Sequence, residues 1–447
     1  MLLGGVASLL VLFVAALGVG WLMAKQRVRA ELARIRAAGE PVSVEDLDAF
    51  YPRPPADRDT TQLWLEAIAA LDTPGFVDDA KDLPIVGESD EELPPPGEPW
   101  PHLAAADSLL AKYQKPLEKM HRAAQLGGAA RYPTDFSADY PTSLPHLQSL
   151  RKGVKLLLLE SEARARHDEP SAVAEAIETM LAAGRSIEDE PTLVSQLVRL
   201  ALDGMARFQL ERQLSSVRFS DNDLERISRR LAAIDYPASF HRALLGDRAT
   251  SMEYFVNPAA LGPQAPSAPS ALFRPVDQIV YLESMRKVVA AFETSGPDLG
   301  NSVADIQNEA SQLANEPLAN FRYPISMASF SWIQGGAMSV NTAMAGRDSA
   351  RAAVAIERFR LRHGALPKAL DSLAPDLLPE VPLDPFDGQP LRYRVDEAGY
   401  RVYSVGLDGI DQGGQTSAEL HAPSPDVVFH VRLSNPPVGV SRGAGVE

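Results

Sequence analysis

Residues 383–414, LDPFDGQPLRYRVDEAGYRVYSVGLDGIDQGG, are the stretch in which turn signals, strand periodicity and clustered acids coincide. Asp-Pro at 384–385 and Asp-Gly at 387–388 are turn dipeptides, because proline presets φ and glycine accepts a positive φ. From Leu391 onwards apolar and charged residues alternate, which is the two-residue period of a half-buried strand. Residues 400–405 form a second β-rich run after a short glycine-containing loop, so the stretch predicts a β-hairpin.

Residues 406–414 form an acidic, glycine-rich loop between this hairpin and a third β-rich run at 427–433, which predicts a further strand. The loop holds Asp408 and Asp411 among four glycines. Glycine lets backbone carbonyls turn inward, and hard cations prefer oxygen ligands on flexible backbone. An Asp-Gly turn with solvated carboxylates has the same composition. A plain turn and a cation-binding loop both stay open from these residues alone.

The residues upstream complete an ordered set of signals. Residues 350–363 predict a helix that ends at Gly364, a C′ glycine, and Pro367 follows it. This order resembles the C-terminal part of the type II secretion major pseudopilins over residues 347–433. The matching segments are Ile-Glu-Arg-Phe-Arg at 356–360 before His-Gly at 363–364, Leu-Pro at 366–367, Leu-Asp-Pro-Phe-Asp-Gly at 383–388, Leu-Arg-Tyr at 391–393, residues 400–406, and Asp-Gly at 408–409.

The resemblance implies a small sheet packed on the C-terminal half of a long helix, with a structural calcium ion in the loop before the last strand. Asp408 matches the aspartate of the family's Asp-Gly turn. The calcium ligands that the resemblance implies are therefore Asp408, Asp411 and Asp426. The chain departs from the family at its start, where the family's Gly–Phe cleavage junction and helix glutamate have no counterpart.

Residues 1–24 contain no charged side chain and are long enough to cross a bilayer as one helix. We expect an uncleaved, single-pass anchor that contacts membrane lipid, with Trp21 at the interface. Lysine and arginine are frequent in residues 25–36, and by the positive-inside rule this flank favours a cytoplasmic body. The pseudopilin resemblance implies the opposite side. The expectation is an inner-membrane protein whose body lies outside the cytoplasm.

The remaining sequence predicts a mainly α-helical chain. Helical periodicity dominates from His102 to Ile234, and the apolar run at 156–159 predicts a central helix. Ser220 and Asp223 form a capping-box signal. The predicted organisation is a transmembrane anchor (1–24), juxtamembrane helices (25–71), a proline-rich acidic linker (72–100), an irregular helical bundle (101–345, with a loop at 259–275), a small α+β pseudopilin-like module with an antiparallel sheet (346–433) and a flexible tail (434–447).

Composition and motifs narrow the function classes. The 447-residue chain has a net charge of −16, which argues against nucleic acid as a partner because phosphate binding needs a basic face. It contains no cysteine, so disulfides and thiolate chemistry are excluded. No catalytic motif is found, and we expect a protein without enzymatic activity. The leading hypothesis is an interaction or scaffold component of the cell envelope that binds protein partners, linked to a type II secretion or pilus-like system.

Two alternatives stay open. The first is an envelope hydrolase with its site in the helical body. The second is an atypical minor pseudopilin-like subunit, which requires the anchor helix to be exposed for lateral packing.

Overall fold

The computed structural model describes residues 2–95, 98–127, 129–136, 144–259, 268–330, 333–415 and 426–433. The predicted tail at 434–447 therefore lies outside the described residues. The helices are α1 (Leu2–Ala37), α2 (Val44–Phe50), α3 (Thr61–Leu71), α4 (Pro74–Ala80), α5 (Leu103–Lys112), α6 (Gln114–Leu126), α7 (Pro145–Arg166), α8 (Pro170–Arg185), α9 (Leu193–Leu214), α10 (Asp221–Ala232), α11 (Tyr236–Val256), α12 (Arg274–Ala291), α13 (Pro297–Ala314), α14 (Ala319–Arg322), α15 (Pro324–Phe330) and α16 (Ile333–His363). The strands are β1 (Arg392–Asp396), β2 (Gly399–Ser404) and β3 (Val427–Arg432).

The centre of the body is α7, as its apolar run predicted. The four leucines at 156–159 are all buried, so this helix is covered on several faces. It packs against α3, α8 and α9. Helix-on-helix packing of apolar faces therefore builds the body.

The predicted capping box is present at the start of α10. Asp223 N–H donates to Ser220 Oγ over 3.2 Å, and Ser220 N–H donates to Asp223 Oδ2 over 3.1 Å.

Helix α16 belongs to both the body and the C-terminal module. In its first half Asn341 Nδ2 donates to Gly296 O, just before α13, over 3.3 Å. In its second half Glu357 Oε1 accepts from the Tyr400 hydroxyl of β2 over 2.9 Å. The sequence predicted this helix only from residue 350, because Gly335 and Gly336 weaken the local helix signal. Packing overrides that weakness, so the predicted boundary at 346 falls inside one continuous helix.

The sheet is antiparallel in the order β1-β2-β3, and the predicted hairpin and third strand are confirmed. Tyr400 and Val402 of β2 are fully buried, and β2 and β3 pack on α16. The hairpin turn is held by Asp396 Oδ1, which accepts from the Ala398 and Gly399 amides over 2.8 and 3.0 Å. A Cβ at Gly399 would overlap the backbone of β3, so glycine is required there.

The segment predicted as an irregular linker, 72–100, is partly helical and packed on the body. Thr73 accepts from the Phe76 amide over 3.3 Å, and Pro74 occupies the first turn of α4. Phe76 is buried against the edge of Tyr113, with ring centroids 5.0 Å apart. Trp100 is buried as well. The prediction of an irregular linker was wrong for residues 74–80, because an N-cap and one aromatic anchor outweigh the proline and acid content.

The C-terminal part of the predicted loop at 259–275 is helical in the structure. Residues 268–273 form a 3-10 helix, α12 begins at Arg274, and residues 260–267 lie outside the described part of the chain. The mixed stretch at 296–345, in which the sequence placed no helix boundaries, contains α13, α14, α15 and the first part of α16.

Helix α1 runs for 36 residues through both the apolar segment and the basic flank. Ala24, Val28 and Ile35 are buried, and α1 packs along α12. Among the residues that the structure describes, no helix is long and apolar enough to cross a membrane. The transmembrane anchor predicted at residues 1–24 therefore has no support from this finding and stays a prediction.

Candidate functional site

The C-terminal module is organised around one buried carboxylate, Asp384. Its Oδ1 accepts from the Phe386 amide over 2.9 Å and from Ser404 Oγ over 2.8 Å. Its Oδ2 accepts from the Val405 amide over 2.9 Å and from Arg392 Nη1 over 2.6 Å. Four donors from three parts of the module thus meet on one side chain that has no exposed surface. Asp384 joins the Asp-Pro turn to both strands of the hairpin and fixes where the acidic loop begins.

The same arginine also holds the second turn of this motif. Asp387 pairs with Arg392, and its Oδ1 accepts from the Gln389 amide over 3.0 Å. The hydrogen bonds from Arg392 lower the pKa of Asp387, because they favour its ionised form. The sequence identified both aspartates as turn residues. It did not identify Arg392 as the cation that connects them.

Asp408 is engaged by its own turn. Its Oδ1 accepts from the Ile410 amide over 3.0 Å, and its Oδ2 accepts from Gln412 Nε2 over 2.6 Å. Asp411 Oδ1 accepts from the Gly413 amide over 2.8 Å. Short side-chain-to-backbone bonds of this kind close Asx turns. The loop is therefore ordered by its own aspartates.

Asp411 and Asp426 both lie near Tyr403, whereas Asp408 accepts from Gln412. The Tyr403 hydroxyl donates to Asp411 Oδ1 over 3.1 Å, and burial together with this carboxylate raises the pKa of Tyr403. Asp426 is fully buried, and its Oδ2 accepts from the Gly414 amide over 2.7 Å. Its Oδ1 has no protein partner. Asp426 thus fastens the end of the loop to the start of β3.

The predicted calcium ligands are not brought together as one oxygen shell. Arg394 and Arg401 direct guanidinium groups at the Gly413 and Gly414 carbonyls, over 3.5 and 3.2 Å, where a cation site would turn those oxygens inward. In the described part of the chain, no group of three or more His, Cys, Asp or Glu side chains could hold a metal ion. Calcium prefers six to eight oxygens. The described geometry fits the plain turn better than the ion, and the calcium site stays a prediction.

The tip of this turn carries two exposed apolar side chains. Leu407 and Ile410 are each 61% exposed, on either side of the Asp408 turn. Apolar side chains at the tip of a polar turn gain nothing for the fold. The sequence signal was available in the pattern Leu-Asp-Gly-Ile, but only the structure shows that neither side chain packs inward.

A second group of polar residues, which sequence reasoning missed, lies where α9 meets β3. Burial raises the pKa of Glu211 to about 7, against the opposing effect of the His430 backbone amide. Burial lowers the pKa of His430, which favours the neutral ring. These two residues and the exposed Phe208 line a cavity of about 400 Å³. The residues are 219 positions apart (430 − 211), so no local pattern could have joined them.

The body contains one arrangement that resembles a catalytic relay. His121 Nδ1 lies 2.8 Å from Thr179 Oγ1, and His121 Nε2 lies 2.9 Å from Glu160 Oε2. The Thr179 hydroxyl, however, donates to the Glu175 carbonyl one helical turn back, over 2.8 Å. Its proton is therefore not placed on the histidine, and a nucleophile activated by a base requires that transfer. Burial acts to lower the pKa of His121, but the hydrogen bond and the charge of Glu160 together raise it, which suits a structural ion pair.

A second histidine, the buried His146, is also part of a structural network. His146 Nε2 lies 3.0 Å from Glu190 Oε2, and Thr134 Oγ1 donates to Glu190 Oε1 over 3.1 Å. The carboxylate stands between the hydroxyl and the imidazole, which is the wrong order for a hydroxyl nucleophile and its base. The ring of His146 stacks on Tyr132 at 4.5 Å and has almost no access to solvent. This network fastens the segment before α7 to the loop after α8.

No family model, curated protein or solved structure matches this chain. The chemistry of the acidic turn is therefore inferred from its own side chains. It offers carboxylates held in fixed positions and two apolar groups held in solvent. That combination is suited to contact with another protein.

A bound calcium ion would make the melting midpoint depend on calcium, which can be measured. We expect the full chain to melt at the same midpoint in calcium and in chelator, because the loop carboxylates already accept hydrogen bonds within the protein. A bound ion would instead add about 2.7 kcal/mol at a hundredfold excess over Kd. Asp408→Ala is expected to lower stability by roughly 1 kcal/mol, equally in both buffers. A calcium-dependent rise in the midpoint that Asp408→Ala or Asp426→Ala abolishes would restore the metal site.

Proposed function

We propose that this chain is a membrane-anchored, non-enzymatic scaffold of the cell envelope that works beside a type II secretion or pilus-like system. In this proposal residues 1–24 anchor the chain in the inner membrane and the body lies outside the cytoplasm. The pseudopilin-like module binds a protein partner. The observation that carries the proposal is the ordered acidic turn, which holds Leu407 and Ile410 in solvent on either side of Asp408.

The module is mounted rigidly, which suits a scaffold. Arg358 of α16 pairs with Asp221 and Glu225 of α10 over 2.7 and 3.2 Å. The Arg432 amide of β3 donates to Ser215 Oγ, just after α9, over 3.1 Å. A preorganised surface binds with a smaller entropic penalty than one that must be ordered on contact. The turn is therefore held in one orientation relative to the body.

The chemistry of the turn indicates the kind of partner. Two aliphatic side chains require a shallow apolar pocket, and the flanking carboxylates of Asp408 and Asp411 favour lysine or arginine at its rim. The net charge of −16 would speed the approach of a basic partner over a long range. We expect the partner to be a protein of the envelope with an apolar pocket bordered by basic residues.

Site-specific crosslinking tests the proposal directly. Because the chain contains no cysteine, Leu407→Cys creates a single attachment point for a maleimide photocrosslinker. Leu361→Cys is the matched control, since Leu361 is also an exposed leucine but lies near the end of α16. Irradiation of native membranes is expected to give one discrete adduct from position 407 and none of that mass from position 361. Ile410→Ser in the Leu407→Cys background is expected to remove it.

The same experiment separates the alternatives. Identical adducts from both positions, or no adduct at 407, would contradict a partner site at the turn. An adduct between two copies of this chain would favour the pseudopilin-like subunit instead. The exposure of Leu12, Val19 and Leu22 on α1 favours that alternative, since lateral packing of such helices needs a free surface.

A further inference from the structure

Three apolar side chains stand out by exposure among the described residues. Val256 and Leu272 are each 74% exposed and Leu318 is 72% exposed, more than any other described large apolar side chain. They belong to three separate elements: the end of α11, the 3-10 helix before α12 and the residue before α14. Single exposed apolar side chains scattered over a surface need no explanation, but several exposed apolar side chains in one region do.

The packing of α11 on α12 places Val256 and Leu272 at the same end of the body. Phe240 of α11 stacks on Phe292 at the C-terminal end of α12, with ring centroids 6.0 Å apart. Further along α11, Phe255 contacts Tyr281 at 5.6 Å. The two helices are therefore antiparallel, and α11 ends beside the start of α12, where Leu272 also lies.

Leu318 is brought to that end by an aromatic contact. Phe321 of α14 packs edge-on against Phe273, the residue after Leu272, with ring centroids 5.6 Å apart. The first turn of α12 is tied to the start of α15 as well, because Asp277 accepts from the Ile325 and Ser326 amides over 3.0 and 3.1 Å. Leu318 itself has a φ of +63°, a conformation that is uncommon for leucine. The backbone there is held by its surroundings with the apolar side chain in solvent.

Helix α1 leaves the body at this same end. Arg27 pairs with Glu283 over 2.5 Å and Glu31 pairs with Arg286 over 3.9 Å, so α1 and α12 run parallel. By this register the start of α12 lies level with residues 18–20 of α1. Every α1 residue before Ala24 whose burial is described is exposed, including Val19, Leu22 and Met23.

We propose that Val256, Leu272 and Leu318 form a lipid-contacting face, on which this end of the body rests against the interfacial region of a bilayer. The inference rests on the proposed membrane function but concerns the body, which no anchor alone would bring into contact with lipid. The exposed apolar side chains of α1, among them Val19 and Leu22, lie at the same end of the body. On α1, Lys25 lies 4.8 Å over the ring of Trp21, a pairing suited to the headgroup level of a membrane.

The opposite end of the body carries the module. Pro385 lies against Gly296, just beyond the C-terminal end of α12, and Asn341 Nδ2 donates to both carbonyls over 3.3 Å. Helix α12 has 18 residues, so the lipid-contacting face and the module are separated by roughly 27 Å at 1.5 Å per residue. The body would thus stand on the membrane and present the acidic turn away from it.

Fluorescence of single-cysteine variants tests this face. The full chain is labelled with an environment-sensitive NBD group at Leu272→Cys or Leu318→Cys and reconstituted in phosphatidylcholine vesicles containing phosphatidylglycerol. Ile410→Cys is the control, because Ile410 is also highly exposed but lies on the module. We expect NBD emission from positions 272 and 318 to shift to the blue and to be quenched by shallow doxyl lipids, about 5–10 Å below the headgroup boundary. Position 410 should keep the emission of an NBD group in water.

A fourth label at Val19→Cys separates this inference from the proposed anchor. If position 19 enters lipid while positions 272 and 318 behave like position 410, the lipid-contacting face is wrong and the anchor stands. If no label enters lipid, both are wrong. A blue shift at 272 and 318 without doxyl quenching would show that a protein surface covers this face, and would also overturn the inference. All four labelled positions are so exposed that cysteine should leave the fold intact.

Discussion

Replacing Asp384 with alanine is expected to lower the free energy of unfolding by about 3–5 kcal/mol, the range for breaking a buried ion pair from one side. The carboxylate has no exposed surface and accepts four hydrogen bonds. Its loss leaves the Val405 amide and the Ser404 hydroxyl buried without an acceptor. It also leaves Arg392 with only Asp387 as a partner. Chemical unfolding of the full chain, followed by circular dichroism, measures the change.

Asp387→Ala is the matched control for this prediction. Asp387 lies three residues after Asp384 and pairs with the same arginine, Arg392. Its side chain, however, is partly exposed. Partly exposed pairs contribute about 0–1 kcal/mol, so this variant should unfold close to the parent. Hydrogen exchange adds a local measurement, because the amides of β2 should lose protection in Asp384→Ala first. Equal destabilisation by the two variants would show that Asp384 is no more important than an ordinary turn residue.

The contrast between Asp384 and Asp387 shows which features local sequence patterns can predict. Both were identified as turn residues, because Asp-Pro and Asp-Gly carry local conformational preferences. The hairpin followed from a period of two, and the Ser220 capping box from a spacing of three. The role of Asp384 depends on Ser404 and Val405, which lie 20 and 21 positions away. A contact of that span is decided by the fold, and no local pattern contains it.

The predictions for the start of α16 and for segment 72–100 failed for the opposite reason, because the local sequence signals there were misleading. Gly335 and Gly336 lower helix propensity, yet Gly336 is buried inside a 31-residue helix. The proline and acid content of 72–100 indicated an irregular connection, yet Phe76 and Trp100 are buried. In both cases tertiary packing outweighs intrinsic preference. The exposure of Leu407, Ile410 and Leu318 is likewise a property of the fold, which is why the candidate surfaces became visible only in the structure.

Glu162 of α7 is the second position at which a single substitution should have a large effect. Its carboxylate pairs with Arg166 over 2.5 Å and with Arg212 over 2.8 Å, and the Gln209 and Gln213 amides donate to it over 3.0 and 2.9 Å. The side chain is almost completely buried. Glu162→Ala would leave Arg166 nearly buried without its counter-charge. We expect a loss of about 3–5 kcal/mol in the free energy of unfolding.

Loss of Glu162 should also release the segment before Trp100. Arg166 lies 5.0 Å over the Trp100 ring, and Arg212 donates to the Pro94 carbonyl, so both arginines oriented by Glu162 hold this segment on the body. In Glu162→Ala we expect a red shift of tryptophan emission and faster limited proteolysis between α4 and α5 at moderate temperature, before global unfolding. Such selective cleavage is the behaviour of a locally unfolding unit.

Glu169→Ala is the control, because Glu169 pairs with Arg164 at the end of the same helix but is about half exposed. That surface pair should contribute about 0–1 kcal/mol, and the variant should keep the parent's cleavage rate. If Glu162→Ala is cleaved no faster than Glu169→Ala, the arginines do not hold the segment. Its docking would then depend on the buried aromatic rings of Phe76 and Trp100, which Trp100→Ala would test by the same proteolysis assay.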